Sequence, residues 1–154
     1  MAPAQASLLA KLDTQERVRD FLTNAVASGR ASHAYLFLGA PGAGKLDAAW
    51  ALAQAFLCEQ DGCGACDSCV RVSRHTHPDV HYYTPESATG YLIAQTRELL
   101  DDVPLAPIRA KAKVYIIDRA EQLRANTANA LLKTLEEPPE DVMFILLGTS
   151  ADVM

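Results

Sequence analysis

No apolar run in this 154-residue chain approaches the roughly 20 residues that a membrane-spanning helix needs. The first residues, MAPAQASLLAKLD, lack a basic start leading into a long apolar stretch, so they carry no sign of a secretory leader. From these two absences a cytoplasmic chain without membrane contact is expected. An excess of positive charge is also missing. The formal net charge is −5, which argues against a surface covered in phosphate contacts but leaves room for a local basic patch. Cysteine is absent from most of the chain, because all four lie between positions 58 and 69. A secreted disulfide scaffold would spread them out, whereas a cluster in a reducing compartment points to a metal. Internal repeats and low-complexity linkers are lacking. What remains is ordinary for one globular domain with its own core: 49% hydrophobic and 21% charged residues.

Short apolar runs alternate with helical patterns. TQERVRDFLTNAVASGR puts Val18, Phe21, Leu22, Ala25 and Val26 on one helical face, with Thr14 as a start cap and Gly29 as a stop. AYLFLG reads as a buried parallel strand and LDAAWALAQAFLC as the helix after it. DVHYYTP is a further strand candidate, and YLIAQTRELLDDV is a helix that ends before Pro104. KVYIID and VMFILLGTS are buried-strand patterns. Between them, NTANALLKTLEE is a helix stopped by Pro138 and Pro139, its Leu131, Leu132 and Leu135 facing the core. The alternation predicts an α/β fold with a mostly parallel sheet. The chain stops at Met154, just after an apolar strand and with no helix to cover that side, so a fragment of a longer protein is expected.

GAPGAGKLD, residues 39–47, follows a strand and opens a helix. Gly39-x-x-x-x-Gly44-Lys45 in that context reads as a phosphate-binding loop, including Pro41, Gly42 and Ala43. Glycines let backbone N–H groups curl round an anion, the helix start adds its dipole, and Lys45 adds a charge. The pattern then breaks. A Ser or Thr hydroxyl that would ligate magnesium is replaced by Leu46, which has no oxygen, and Asp47 adds a repelling carboxylate. ATP or ADP binding is therefore expected to be weakened. At the tip of KVYIID, Asp118 fits the acid that orients magnesium, but Arg119 stands where a glutamate would activate water, and a guanidinium stays protonated. Two motifs, each missing its catalytic member, point to a disabled ATPase.

Cys58-x4-Cys63-x2-Cys66-x2-Cys69 supplies four thiolates in twelve residues. That set suits a tetrahedral, structural zinc with no open position. An iron–sulfur cluster and free thiols are the alternatives, although the further Cys-Pro of an iron–sulfur run is absent. His75, His77 and His81 are then packing or surface residues. Arg109, Lys111 and Lys113 read as a solvated basic surface.

SHAYLFLGAPGAGK, the cysteine run continuing into HTHPDV, KVYIIDRAEQL, and NALLKTLEEPP followed by FILLGTS occur in this order over about residues 14 to 150. Together they resemble the bacterial DNA polymerase III clamp-loader family of AAA+ subunits. The resemblance implies a P-loop AAA+ (RecA-like) sheet flanked by helices over residues 1–154, a zinc module inserted at 58–77, and a chain ending before the last strand and lid domain. Leu46, Arg119 and the short Cys58–Cys63 spacing favour the family's delta prime branch over its ATP-hydrolysing gamma/tau branch. By resemblance, such a subunit is a rigid wall of a hetero-pentameric ring with gamma/tau and delta. It acts within the DNA polymerase III holoenzyme, which loads the sliding clamp onto primer-template DNA. It also donates an arginine from a Ser-Arg-Cys motif expected beyond Met154. Thr149 matches the polar sensor position. His33 and Ala34 match the segment leading toward the nucleotide side, or else serve as strand-entry packing. Lys133 lies where a DNA phosphate would approach. A zinc-binding module with a non-functional glycine loop is the reading from another class.

Overall fold

The computed structural model describes residues 8, 12, 16–40, 42–137, 139 and 141–149; the expected cap Thr14, Pro41 of the glycine loop and the helix stop Pro138 lie outside the described residues. Two runs of consecutive apolar residues form the centre of the sheet. β3 (Lys113–Ile117) and β4 (Val142–Gly148) are buried at every position. A strand of this kind needs cover on both faces, which a parallel sheet with helices on each side supplies. They pair in parallel, with Ile116 opposite Ile145. β1 (Ala34–Leu38) lies outside β4 and β2 (Val80–Tyr83) outside β3, giving the all-parallel order β1-β4-β3-β2.

Side chains alternate across the two central strands. Val114, Ile116, Met143, Ile145 and Leu147 point into one core, with α1 (Glu16–Ala27) and α2 (Lys45–Leu57). Tyr115, Ile117, Val142, Phe144 and Leu146 point into the other, with α4 (Ile93–Asp102) and α5 (Ala125–Glu136). Five alanines of α2 are buried, so its backbone can lie close to its neighbours. α3 (Asp67–Ser73) arises inside the cysteine run and packs on α2. A turn of 3-10 helix at Ala120–Gln122 follows β3. The four expected strands and the helices between them are all present, and Gly29 closes α1 at φ 72°.

Three side-chain expectations change. In α1 the buried stripe runs through Val18, Leu22 and Val26 at i, i+4 spacing, so Phe21 falls beside it and is 64% exposed. Leu132 is turned away from the core in the same manner, while Leu131 is buried and Leu135 packs at its margin. Lys113 is not a surface residue. It starts buried β3 and runs to the end of α4, where Nζ donates to the Asp102 carbonyl at 2.5 Å and faces the Asp102 carboxylate at 3.5 Å. A helix C-terminus with its own carboxylate gives a buried ammonium the partners it needs. The same carboxylate accepts from Tyr115 and faces His81 at 3.3 Å.

Asp79 organises the segment before β3. It is fully buried, and its carboxylate accepts backbone N–H groups of Ile108, Arg109 and Ala110 at 2.6–2.7 Å. Burial alone would push its pKa up, but those three donors outweigh burial and hold it below the usual 3.8. Asp79→Ala leaves three amides without their acceptor and should cost about 2–4 kcal/mol, read as a lower urea midpoint at unchanged slope. A depressed carboxylate contributes stability that is full above its unfolded pKa and fades as pH falls below 3.8 through its folded value. Asp79→Asn should therefore flatten this part of the acid-unfolding limb. An acid limb identical to wild type would show that Asp79 carries no such linkage.

Candidate functional site

In a parallel sheet every strand points its carboxyl end the same way, so the loops after β1, β3 and β4 meet at one edge. They enclose a cleft of about 430 Å³ lined by Gly42, Gly44, Lys45, Leu46, Asp47, Asp118, Arg119, Glu121, Leu147, Gly148 and Thr149. Residues from three distant stretches of sequence are thus brought together: the glycine loop, the acid after β3 and the threonine after β4.

The glycine loop turns as its composition requires. Gly42 and Gly44 sit at φ 82° and 94°, a region that costs side-chain-bearing residues strain. Gly44 caps α2 with no side-chain acceptor, leaving the first amides of the helix facing the cleft mouth. The Gly39 N–H donates to the Gly148 carbonyl at 3.2 Å, and the Ala43 N–H to Ala40 at 3.1 Å. Lys45 lines the cleft, and its Nζ donates to two carbonyls, Gly39 at 2.6 Å and Gly148 at 3.0 Å. The ammonium thereby ties the end of β1 to the end of β4 at the floor of the cleft.

Leu46 is half-buried, packs against the core under α2 and still borders the cleft. Asp47 borders it beside Leu46, as the sequence implied. Across the cleft, both oxygens of Asp118 have donors. The Tyr82 hydroxyl reaches Oδ2 at 2.8 Å and the Arg119 N–H reaches Oδ1 at 2.9 Å. Burial and this carboxylate both raise the Tyr82 pKa, which keeps the hydroxyl a donor. Arg119 takes φ 48°, and Tyr91 holds the Asp118 carbonyl from behind. His33 and Ala34 stand at the opposite end of β1 from this cleft. The His33 carbonyl accepts from Phe144 at 2.8 Å, which is the strand-entry role. Lys133 lies on the exposed side of α5 with Glu136 and Glu137, none of them lining the cleft.

The cleft has the parts for holding an anion: loop amides, a helix N-terminus and an ammonium. It has no hydroxyl at position 46 and no carboxylate at position 119. Tyr82 is the participant that sequence reasoning missed. It lies in a strand pattern like any other, and only the sheet register brings its hydroxyl to an acid 36 positions away.

The cysteines form a second site. All four sulfurs lie within 4.8 Å of one another, with Cys63–Cys69 and Cys66–Cys58 at 3.9 Å. None is in a disulfide. A zinc tetrahedron with 2.3 Å Zn–S bonds has edges of about 3.8 Å; two sulfur pairs already stand at that spacing, and the whole set lies within about 1 Å of it. Backbone N–H groups point at the sulfurs: Gln60 and Cys63 to Cys58, Ala65 and Cys66 to Cys63, Cys69 to Cys66, at 3.3–3.4 Å. Such donors favour thiolate over thiol. Those from Ala65 and Cys66 bring Cys63 down to about 6, while burial pushes Cys66 and Cys69 up. Four sulfurs packed this closely could all be thiolate only with a cation between them. His77 stands apart from this ligand set, its Nδ1 accepting the Asp79 N–H at 3.0 Å.

Comparisons with known proteins agree with this geometry. The sequence profile of the family described as DNA polymerase III, delta subunit, matches residues 14–154. DNA polymerase III subunit delta' of Bacillus subtilis is 41% identical over 138 residues, covering 88% of this chain and 42% of the relative. DNA polymerase III subunit tau of Escherichia coli is 43% identical over 139 residues, covering 88% of this chain and 21% of the relative. The chain thus spans less than half the length of these relatives. A DNA polymerase III gamma subunit-related protein from Thermotoga maritima has the same fold, with a TM-score of 0.59 at 19% identity over 88% of this chain and 40% of the other. Fold, cleft and sequence similarity converge on one conclusion: the chain belongs to the DNA polymerase III clamp-loader family of AAA+ proteins.

Proposed function

We propose that the chain is the N-terminal part of a delta prime-like clamp-loader subunit, a ring component with a degenerate nucleotide site. One observation carries this reading. In a cleft that otherwise assembles the P-loop AAA+ parts, Leu46 and Arg119 stand where a magnesium hydroxyl and a catalytic base would be needed. The subunit then works by shape. It holds its place beside gamma/tau and delta while the assembly puts the sliding clamp on primer-template DNA. Lys45, already tied to two carbonyls, stabilises that shape with or without ATP or ADP. An ATP-hydrolysing gamma/tau-type subunit is the second reading, favoured by the 43% identity to the Escherichia coli tau relative. A steady-state ATPase assay separates the two. The delta prime reading expects no turnover, and rates on the order of 1 per second would establish the motor.

The cysteine site is assigned to a structural zinc held by Cys58, Cys63, Cys66 and Cys69. With all four positions filled by protein, the ion supplies local folding energy and no open coordination site. Elemental analysis of chain purified without chelator should give about one zinc per chain. Iron in its place, or no metal, would overturn the assignment. Removal of the ion, or Cys66→Ser, should loosen residues 58–77 and leave the sheet folded, visible as hydrogen exchange that rises most in that segment while the strand amides stay protected.

Leu46→Thr together with Asp47→Thr would return a hydroxyl to the start of α2 and remove a carboxylate. ATP binding should strengthen by about 1–3 kcal/mol and become magnesium-dependent, and adding Lys45→Ala should abolish the gain. Hydrolysis should stay absent, because Arg119 remains. Calorimetry on the three proteins decides it. A double variant no tighter than wild type would mean that the loop is not a latent nucleotide site.

A further inference from the structure

α3 ends in a way that its sequence does not favour. The Thr76 N–H donates to the Arg71 carbonyl at 2.9 Å and the His75 N–H to Val72 at 3.0 Å, the paired bonds of a Schellman helix end. The residue at the left-handed position of that motif is usually glycine. Here it is His75, at φ 58°. A β-carbon there costs some backbone strain that glycine would avoid, though histidine is among the side chains found at this φ more often than most.

Its ring lies flat on Trp50, with centroids 3.8 Å apart and planes 8° from parallel. Trp50 is the only tryptophan of the chain, it is buried, and it belongs to α2, one turn beyond Leu46 and Asp47 of the cleft. Trp50 also meets Tyr82, at 6.0 Å and 39°. That distance lies within the range of a favourable aromatic pair. Tyr82 in turn donates to Asp118 on the far wall of the cleft. One line of contacts therefore runs from the end of the cysteine module to both walls of the cleft: His75, Trp50, Tyr82, Asp118.

We propose that His75 is a positioning residue, and that its stack on Trp50 couples the four-cysteine module to the nucleotide-type cleft through Tyr82 and Asp118. The coupling rests on the cleft and the module as assigned under the proposed function. When the module is ordered, α3 holds His75 against Trp50. Trp50 then fixes the first turns of α2 on one wall and keeps Tyr82 bonded to Asp118 on the other. When the module loosens, His75 leaves, and both walls gain freedom although no cysteine touches them.

His75→Gly tests the joint cleanly. Glycine suits φ 58°, so the helix end should persist while the ring is lost. In the intact chain, hydrogen exchange should rise about two- to tenfold at residues 44–50, 118 and 119, the change that loss of one aromatic pair produces. Trp50 emission should change with it, and metal content should stay at the wild-type level. Chelation of wild type, or Cys69→Ala if no metal is found, should reproduce the same exchange and emission changes at the cleft. Applied to His75→Gly, either treatment should add little there. His75→Asn, which also tolerates this backbone, should behave like the glycine variant. Should both variants lose the module's order, Tyr82→Phe takes over as the test. It must loosen residues 118 and 119 while leaving the module protected. Cleft exchange that stays at the wild-type level in His75→Gly, or responds to module disruption equally with and without the ring, overturns the coupling. Absence of metal alone overturns only the zinc assignment.

Discussion

Burial of β4 between β1 and β3 is the constraint on which the rest depends. All seven of its residues are buried, so it tolerates no solvent face and no edge position. Parallel neighbours on both sides and helices on both faces follow from that. Once the strands run parallel, their carboxyl ends share one rim, and Gly148 at the tip of β4 becomes the meeting point. Its carbonyl accepts both the Gly39 amide and the Lys45 ammonium. The glycine loop is therefore seated by the sheet itself. None of these contacts involves the side chain at position 46, which is Leu.

The cysteine module is the second unit, and it is joined to the first through α2. Cys58 follows the last residue of that helix, and α3 packs along it. Gln54, buried on α2, donates to the Cys69 carbonyl at 3.0 Å and to Ser73 at 2.9 Å. One face of α2 thus holds the module and its first turn forms a wall of the cleft. The four-cysteine cluster and the glycine-loop cleft are consecutive uses of a single helix. Asp79 secures the other side of the module, where Arg109 of its loop pairs with Asp67 at 3.1 Å.

Four strands, their parallel sense and the three stretches that meet at the cleft are legible in the residues alone, from apolar runs alternating with helical periods. Spacing marks the four cysteines as one cluster. Local pattern fails where identity alone does not decide orientation. Leu131 and Leu132 are equal in hydrophobicity, and only the helix's rotation decides which is buried. Lys113 reads as surface because a lysine usually is. Its burial depends on the end of α4 arriving beside it with a carbonyl and a carboxylate. Tyr82 and His75 escape local pattern for a related reason. Their partners, Asp118 and Trp50, lie 36 and 25 positions away, and nothing local signals either contact.

The central claim is that the cleft keeps the shape of a nucleotide site without its magnesium chemistry. Titration of ATP into the unaltered chain, once with magnesium and once with EDTA, tests this most directly. Loop amides and Lys45 act on phosphate in either solution, and Leu46 offers the ion no ligand. The two dissociation constants should agree within about twofold, well under the 1.4 kcal/mol of a tenfold change. Binding at least tenfold tighter with magnesium would contradict the claim, and would mean that another group in the cleft, Asp118 foremost, holds the ion despite Tyr82.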